Sequence, residues 1–309
     1  MKGISTIICT YNSGDKLVPT LQYLAAQKLM PDIPYEIIIV DNNCTDDTVN
    51  TSINAWEEMQ TPFPLIVVEE PKAGLNFARK KGIQNAKFEY IIFCDDDNWL
   101  CADYFIKVFS IFEKMPNVAI IGGVGEAVSN VPLPKWFYDV NGFGFAVSSE
   151  GRHTGFVDSV YGAGMALRKE IFITNIRDTR FLLTDRKGTS LSSGGDTEIC
   201  MLVKRAGFKI YLDESLTFKH FLPATRLKWK YYLQLRKSFG IATAHLQINE
   251  NYPLIKSRAI GFLSIAKFSI RNLKYFLFAK FFKEFKCAQF VQELSRRKTI
   301  LKLSNGTFV

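Results

Sequence analysis

The chain has 309 residues, 47% of them hydrophobic and 22% charged, enough to bury one sizeable domain with an appendage and too apolar for a disordered tail. Its net charge of +9 would suit a nucleic-acid binder, but residues 1–222 hold 22 basic and 27 acidic side chains while residues 223–309 hold 17 basic and 3 acidic. No stretch free of Lys, Arg, Asp and Glu exceeds twelve residues, as in Ser238–Asn249, well short of the roughly 20 apolar residues of a membrane-spanning helix.

Up to about residue 122, short apolar runs alternate with longer amphipathic segments. The pattern predicts strands at Ile4–Cys9, Glu36–Asp41, Leu65–Glu70, Tyr90–Cys94 and Val118–Gly122, separated by helices at Asp15–Gln27, Asp46–Gln60, Leu75–Ala86 and Ala102–Lys114. Such alternation builds an α/β fold, a mostly parallel sheet flanked by helices, whose ligands sit at the carboxyl ends of the strands. Residues 123–195, rich in Gly and aromatics without a clear period, are expected to add loops and short antiparallel strands over that crevice. A helix at Asp196–Ala206 and short strands at Lys209–Leu212 and Thr217–Phe221 follow.

From Pro223 the composition turns to Lys, Arg and aromatics, which divides the chain into a body over 1–222 and a basic helical extension over 223–309. At about 100° per residue Lys256, Lys267, Arg271 and Lys274 share a face, and Lys280, Lys283 and Lys286 move to another, predicting a kink or second helix near Leu277. That segment suits an anionic membrane surface; the alternative is that its aromatics pack on the body and its lysines stay in water. The acidic body argues against a nucleic-acid partner. Met1-Lys2-Gly3 before a short apolar run lacks the features of a secretory leader, so a cytosolic position is expected, peripheral on the inner face of the membrane. The six cysteines are scattered without a C-x-x-C pair, so neither a zinc knuckle nor a disulfide frame is indicated.

Polar residues gather at the strand ends. The strand Tyr90–Cys94 runs into Asp95-Asp96-Asp97, and three adjacent carboxylates either hold a hard cation such as Mg²⁺ or Mn²⁺ or form a solvated loop that caps the next helix. Asp41, ending an Ile-Ile-Ile-Val run, can accept a hydrogen bond from a nucleotide's base or ribose, or simply make the turn. In the helix carrying Arg79-Lys80-Lys81, Arg79 is the candidate for phosphate or a base edge. Asp196 and Glu198 open a helix after Gly194-Gly195, where Asp196 is an N-cap and a candidate general base, and Glu198 a first-turn acid. His220, at a strand end, is either a ligand or a satisfied buried imidazole.

In this order, Ser5–Asn12 with Cys-Thr-Tyr-Asn, Glu36–Asp47, Gly74–Gly82, the Asp triplet, Gly162–Glu170 and Gly194–Glu198 resemble the family 2 glycosyltransferases of GT-A fold over roughly the first 222 residues. The resemblance implies that Thr10, Tyr11, Asn12 and Asp41 line the base pocket of a nucleotide-sugar donor, UDP-linked rather than GDP-linked, with Arg79 near base and phosphates. It implies that Asp95 and Asp97 are the ends of an Asp-x-Asp motif, with Asp97 the direct metal ligand and Asp96 on ribose or metal. His220 then helps hold the metal or diphosphate, and Asp196 is the base of an inverting transfer to a glycan or lipid-linked acceptor in surface polysaccharide or glycolipid synthesis. Trp136 resembles an acceptor platform, a core tryptophan being the alternative, and Glu198 joins it as an acceptor candidate. The family commonly has Glu where this chain has Gly195. A sugar-phosphate nucleotidyltransferase is the enzymatic rival, although Thr10–Gly14 lacks the basic residues of its phosphate loop; a non-catalytic carbohydrate- or nucleotide-binding protein is the other.

Overall fold

The structure, a computed structural model, describes residues 1–147, 153–176, 179, 181–183, 185–186, 190–249, 258–279 and 281–304. β1 (Ile4–Thr10), α1 (Leu17–Ala25), β2 (Tyr35–Asp41), α2 (Thr48–Glu58), β3 (Leu65–Glu69), α3 (Leu75–Asn85) and β4 (Tyr90–Phe93) alternate with bounds within two residues of expectation. β5 (Asn98–Leu100), α4 (Tyr104–Lys114), β6 (Val118–Val128), α5 (Lys135–Asp139), β7 (Gly155–Phe156), β8 (Ala166–Arg168), α6 (Lys169–Asn175), α7 (Gly195–Arg205) and β9 (Lys209–Phe221) follow.

β1, β2 and β4 are buried almost throughout because the sheet is covered on both faces there, whereas the edge strand β3 is only partly buried. In β2, Ile37 and Ile39 share a core with Leu17, Leu21 and Phe105, whereas Ile38 and Val40 share the other with Ala78 and Ile83 of α3. Alternating side chains thus feed two separate cores. Among the described residues one sheet has nine strands, in the order β3-β2-β1-β4-β8-β6-β9-β5, with β7 also on β9. β1 to β4 are parallel, as are β6 and β9; β8 runs antiparallel between β4 and β6.

The two short strands expected after α7 are one strand, β9. Gly122 of β6 pairs with Leu212 and Val124 with Thr217, so the polar stretch from Asp213 bulges out between two paired halves. α5 and α6 arise in the region that shows no period.

By internal packing the chain forms two compact units. The first spans 1–128, 145–181 and 195–221 and contains the whole sheet; the second gathers the described residues of 129–144, 182–194 and 222–309. Two segments of the aperiodic middle region thus belong to the second unit together with the C-terminal helices.

The second unit contains α8 (Trp229–Asn249), α9 (Arg258–Arg271), α10 (Leu273–Phe278) and α11 (Phe285–Ser304). Arg296 of α11 donates to Gln247 Oε1 of α8 at 2.8 Å, and Phe268 of α9 stacks on Phe290 of α11 at 5.3 Å. The expected kink near Leu277 is realised as two helix breaks, at Asn272 and after Phe278; Lys256 and Lys280 lie outside the described residues. Among the described residues no helix is long and apolar enough to cross a membrane.

Candidate active site

Strand register assembles the first half of the site. Thr10 of β1 pairs with Asp41 of β2 and Asp41 with Glu69 of β3, and β4, paired to β1 through Phe93 and Ile7, runs directly into Cys94–Asp97. Thr10 is buried and donates to Ser13 Oγ at 2.8 Å, while the Tyr11 ring stays 46% exposed. Asn12 adopts φ of 51°, a left-handed conformation that asparagine tolerates. Its amide bonds Thr45 twice, donating to Oγ1 at 3.1 Å and accepting the Thr45 N–H at 2.7 Å. Asp41 Oδ1 accepts the Cys44 N–H at 2.8 Å, which ties the turn after β2. Burial pushes the Cys44 thiol up to about 11, so it stays neutral and accepts the Asn12 N–H at 3.4 Å.

Asn42 is a clamp. It is buried, donates to the carbonyls of Glu70 and Lys72 at 2.8 and 2.9 Å, and accepts the Gly74 N–H at 2.8 Å. Gly74, at φ of 140°, starts α3 from a conformation that only glycine adopts cheaply. The start of the Arg79 helix is thereby anchored to the end of β2.

The carboxylate cluster is held by groups from three elements. Ser13 Oγ donates to Asp96 Oδ2, and the Lys16 ammonium lies 2.8 Å from Asp96 Oδ1 and 3.7 Å from Asp97 Oδ2. Asp97 is 2% exposed, and its Oδ1 accepts from Asn98 Nδ2 at 3.3 Å. Pairing of Asn98 with His220 between β5 and β9 brings the imidazole to it, Nε2 lying 3.5 Å from Asp97 Oδ1. On the far side of the ring, Nδ1 lies 2.6 Å from the Phe145 carbonyl. A carbonyl only accepts, so Nδ1 carries hydrogen, and in the neutral ring Nε2 presents a lone pair to a carboxylate. Two lone-pair donors facing each other are satisfied by a proton or by a cation between them. Burial, followed by the Asp97 charge, raises the Asp95 carboxyl above its ordinary value, with Arg79 and then His220 opposing.

This donor set fits a divalent cation. Carboxylates suit Mg²⁺ or Mn²⁺, and the His220 imidazole has its tautomer held from behind, as a metal-ligating histidine does. Among the described residues no group of three or more His, Cys, Asp or Glu side chains is placed to hold a metal ion by itself.

Arg79 and Asp196 meet across Gly162. Arg79, 5% exposed, lies with its guanidinium 5.4 Å from the Phe93 ring centre. A Cβ on Gly162 would come 2.5 Å from Arg79 Nη2 and 3.4 Å from Asp196 Cβ. The Asp196 oxygens accept the backbone N–H groups of Gly162 at 3.0 Å and of Thr197 at 2.7 Å, which fixes the carboxylate at the mouth of α7 with lone pairs to spare.

Both acceptor candidates are buried. Trp136 is 3% exposed in the second unit, in ring contact with Trp229 at 5.3 Å and Tyr232 at 5.2 Å, so it is a core residue whose faces are taken. Glu198 is 4% exposed within α7, which buries its carboxylate in the first unit. Ser13, Lys16, Asn42 and Gly162 were not anticipated as site residues. Lys16 carried a signal, a single basic residue two positions beyond the loop that follows β1; the contacts of the others depend on partners distant in sequence.

A family profile described as Glycosyl transferase family 2 matches residues 5–174. The poly(ribitol-phosphate) beta-glucosyltransferase of Bacillus spizizenii is 28% identical over 210 residues, covering 66% of this chain and 33% of that protein. Across three curated relatives the match spans 29 to 42% of their length. Among solved structures, S. aureus TarS 1-349 in complex with UDP-GlcNAc aligns over 100% of this chain and 93% of its own, with TM-score 0.52 and 14% identity. The mannosyltransferase PcManGT from Pyrobaculum calidifontis, in complex with GDP-Man and Mn²⁺, covers 78% of this chain and 63% of its own, with TM-score 0.54 and 17% identity. The parallel β1–β4 ends and the carboxylate cluster thus sit on a GT-A fold, and with more than half of its length matched by the profile, the chain belongs to glycosyl transferase family 2.

Proposed function

We propose that the protein transfers a sugar from a nucleoside diphosphate donor, a UDP-sugar in preference to a GDP-sugar, to a hydroxyl of a glycan or lipid-linked acceptor, with inversion at the anomeric carbon. The observation that carries this reading is the meeting of Asp97 and His220 beside the row Thr10, Asp41 and Glu69, with Arg79 and Asp196 converging on Gly162. Thr10, Tyr11, Asn12 and Asp41 are assigned to the base pocket, which the tied turns after β1 and β2 keep in shape. Arg79 and Lys16 are the chain's own cations for the diphosphate. Asp97 and His220 would hold Mn²⁺ or Mg²⁺, with Asp95 close by, and such an ion supplies positive charge for the leaving diphosphate.

In the transfer, Asp196 takes the proton of the acceptor hydroxyl as that oxygen attacks the anomeric carbon opposite the leaving group. The carbon–oxygen bond to the diphosphate breaks, and its electrons stay on the departing nucleoside diphosphate. No second carboxylate acts as leaving-group acid, unlike the two-carboxylate plan of glycoside hydrolases. A poly(ribitol-phosphate) transferase among the relatives supports a surface polymer or its lipid-linked precursor as acceptor. The body over 1–222 is assigned the transfer, and the extension over 223–309 attachment to the inner face of the cytoplasmic membrane.

A screen of UDP-, GDP- and dTDP-sugars by thermal shift, with and without Mn²⁺, identifies the donor, and release of nucleoside diphosphate follows turnover. Asp97→Ala is expected to abolish metal-dependent donor binding, whereas Asp196→Asn keeps donor binding and loses transfer. Transfer at the normal rate by Asp196→Asn would refute the base assignment.

A further inference from the structure

We propose that the α9–α10 edge of the second unit docks on an anionic lipid bilayer, the apolar outer side of α9 and the aromatic turn after α10 entering the headgroup layer. The inference deepens the membrane placement proposed above by naming the element that makes contact. It begins from exposure. Among the described residues, ten of the nineteen large hydrophobic side chains exposed to solvent lie between Ile260 and Phe282. Ile260, Phe262, Leu263 and Ile270 of α9 are 59 to 70% exposed, and Phe281 reaches 76%.

Phe262, Leu263 and Ile270 are not the inner face of α9 left uncovered. That face is already occupied: Phe268 stacks on Phe290, and Ser264 Oγ accepts from Arg297 Nη1 at 3.0 Å. At about 100° per residue Phe262, Leu263 and Ile270 point away from Ser264 and Phe268. A water-facing side of a packed helix should be polar, and here both sides are apolar. Exposed apolar surface of this extent marks a contact with something else.

Charge selects the partner. Between Glu250 and Glu284 the sequence has seven basic residues and no acidic one, and Lys267, Arg271 and Lys274 are exposed in the same stretch as the exposed apolar side chains. A second copy meeting this face would bring like charges together, whereas anionic headgroups neutralise them. The helices are too short and too basic to span, so they lie in the plane of the interface.

The test uses the full chain and vesicles of equal parts phosphatidylcholine and phosphatidylglycerol, against phosphatidylcholine alone, in the absence of donor and acceptor. Co-sedimentation with the anionic vesicles at low salt is expected, weakening as salt screens the lysines. Phe262→Ser with Leu263→Ser, both already solvent-exposed, should reduce binding by about tenfold or more while leaving the circular dichroism unchanged. Lys267→Gln with Arg271→Gln should weaken it about fivefold per charge. An Ile270→Trp probe should shift its emission to the blue on anionic vesicles. The proposal is overturned if the full chain fails to bind anionic vesicles at low salt, or if binding survives the two serine substitutions. It is also overturned if the exposed face instead supports a dimer that those substitutions dissociate. Because no sugar is transferred in this assay, its failure leaves the transfer reading standing, and an inactive enzyme that binds vesicles leaves the docking standing.

Discussion

Lys16 sets the charge balance of the carboxylate cluster, because its ammonium lies 2.8 Å from Asp96 and 3.7 Å from Asp97. A divalent ion entering beside Asp97 is repelled by that charge, while a diphosphate is attracted by it. Lys16→Met should therefore tighten Mn²⁺ binding in the absence of nucleotide by about tenfold, roughly 1.4 kcal/mol, and weaken UDP binding, both read by titration calorimetry. Weaker Mn²⁺ binding by the variant would show that Lys16 serves to orient Asp96 instead. At Gly162 the constraint is steric: an added Cβ at 2.5 Å from Arg79 Nη2 must drive the guanidinium off its position over Phe93. Gly162→Ala is expected to cost about 1–3 kcal/mol of stability and to weaken UDP binding, by thermal melts and calorimetry; unchanged UDP affinity would separate Arg79 from the donor. Residues that declare themselves in the sequence are those in contiguous runs, such as Asp95 to Asp97 or Thr10 to Asn12. Lys16 and Gly162 act through partners 80 and 34 or more positions away, which local spacing does not record.

At the scale of elements, Glu293 is the hub of three helices. It accepts from Arg296 Nε and Arg297 Nε, each at 2.7 Å, while Arg296 reaches Gln247 of α8 and Arg297 reaches Ser264 of α9. Burial alone would raise its carboxyl, but the two guanidiniums win and hold it below the ordinary value. A depressed carboxyl stabilises the fold above the unfolded value of about 4.3, and that contribution is lost as pH falls through the lower folded value. Glu293→Gln should thus cost about 1 kcal/mol at neutral pH, the pair being partly exposed, and the gap to the natural protein should close as pH falls below about 4. Denaturant melts across that range read it; a gap independent of pH would show a packing effect only. The elements legible in the sequence are β1 to β4 and α1 to α4, since β1, β2 and β4 are buried almost throughout and each helix buries one face, whereas the three-residue β5 was not legible. Short antiparallel strands were expected in residues 123–195 and β8 is one, but its place in the sheet between β4 and β6 was not legible, nor was the continuity of β9 across its polar bulge. The uncovered outer side of α9 was likewise hidden, because an apolar residue does not announce which of two faces will find a partner.

For the molecule as a whole, the split between an acidic body and a basic extension corresponds to two different demands. Three adjacent carboxylates in a partly buried site repel one another, Lys16 and Arg79 oppose that repulsion, and a divalent cation at the proposed site would add to the neutralisation. Whatever does so binds the folded chain and not the unfolded one, so it must appear as stability. Mn²⁺ with UDP at about a hundred times their dissociation constant should stabilise the protein by about 2.7 kcal/mol, a rise of several degrees in a chain of this size. A chelator should remove the metal-dependent part, and Asp97→Ala should remove the same part while keeping any shift due to UDP alone. His220→Ala should act in the same direction and less strongly, since the buried imidazole is one donor and Asp97 another. Differential scanning calorimetry of the three proteins with Mn²⁺, UDP and both decides the matter: an equal Mn²⁺-dependent shift in Asp97→Ala would place the cation somewhere other than the end of β4.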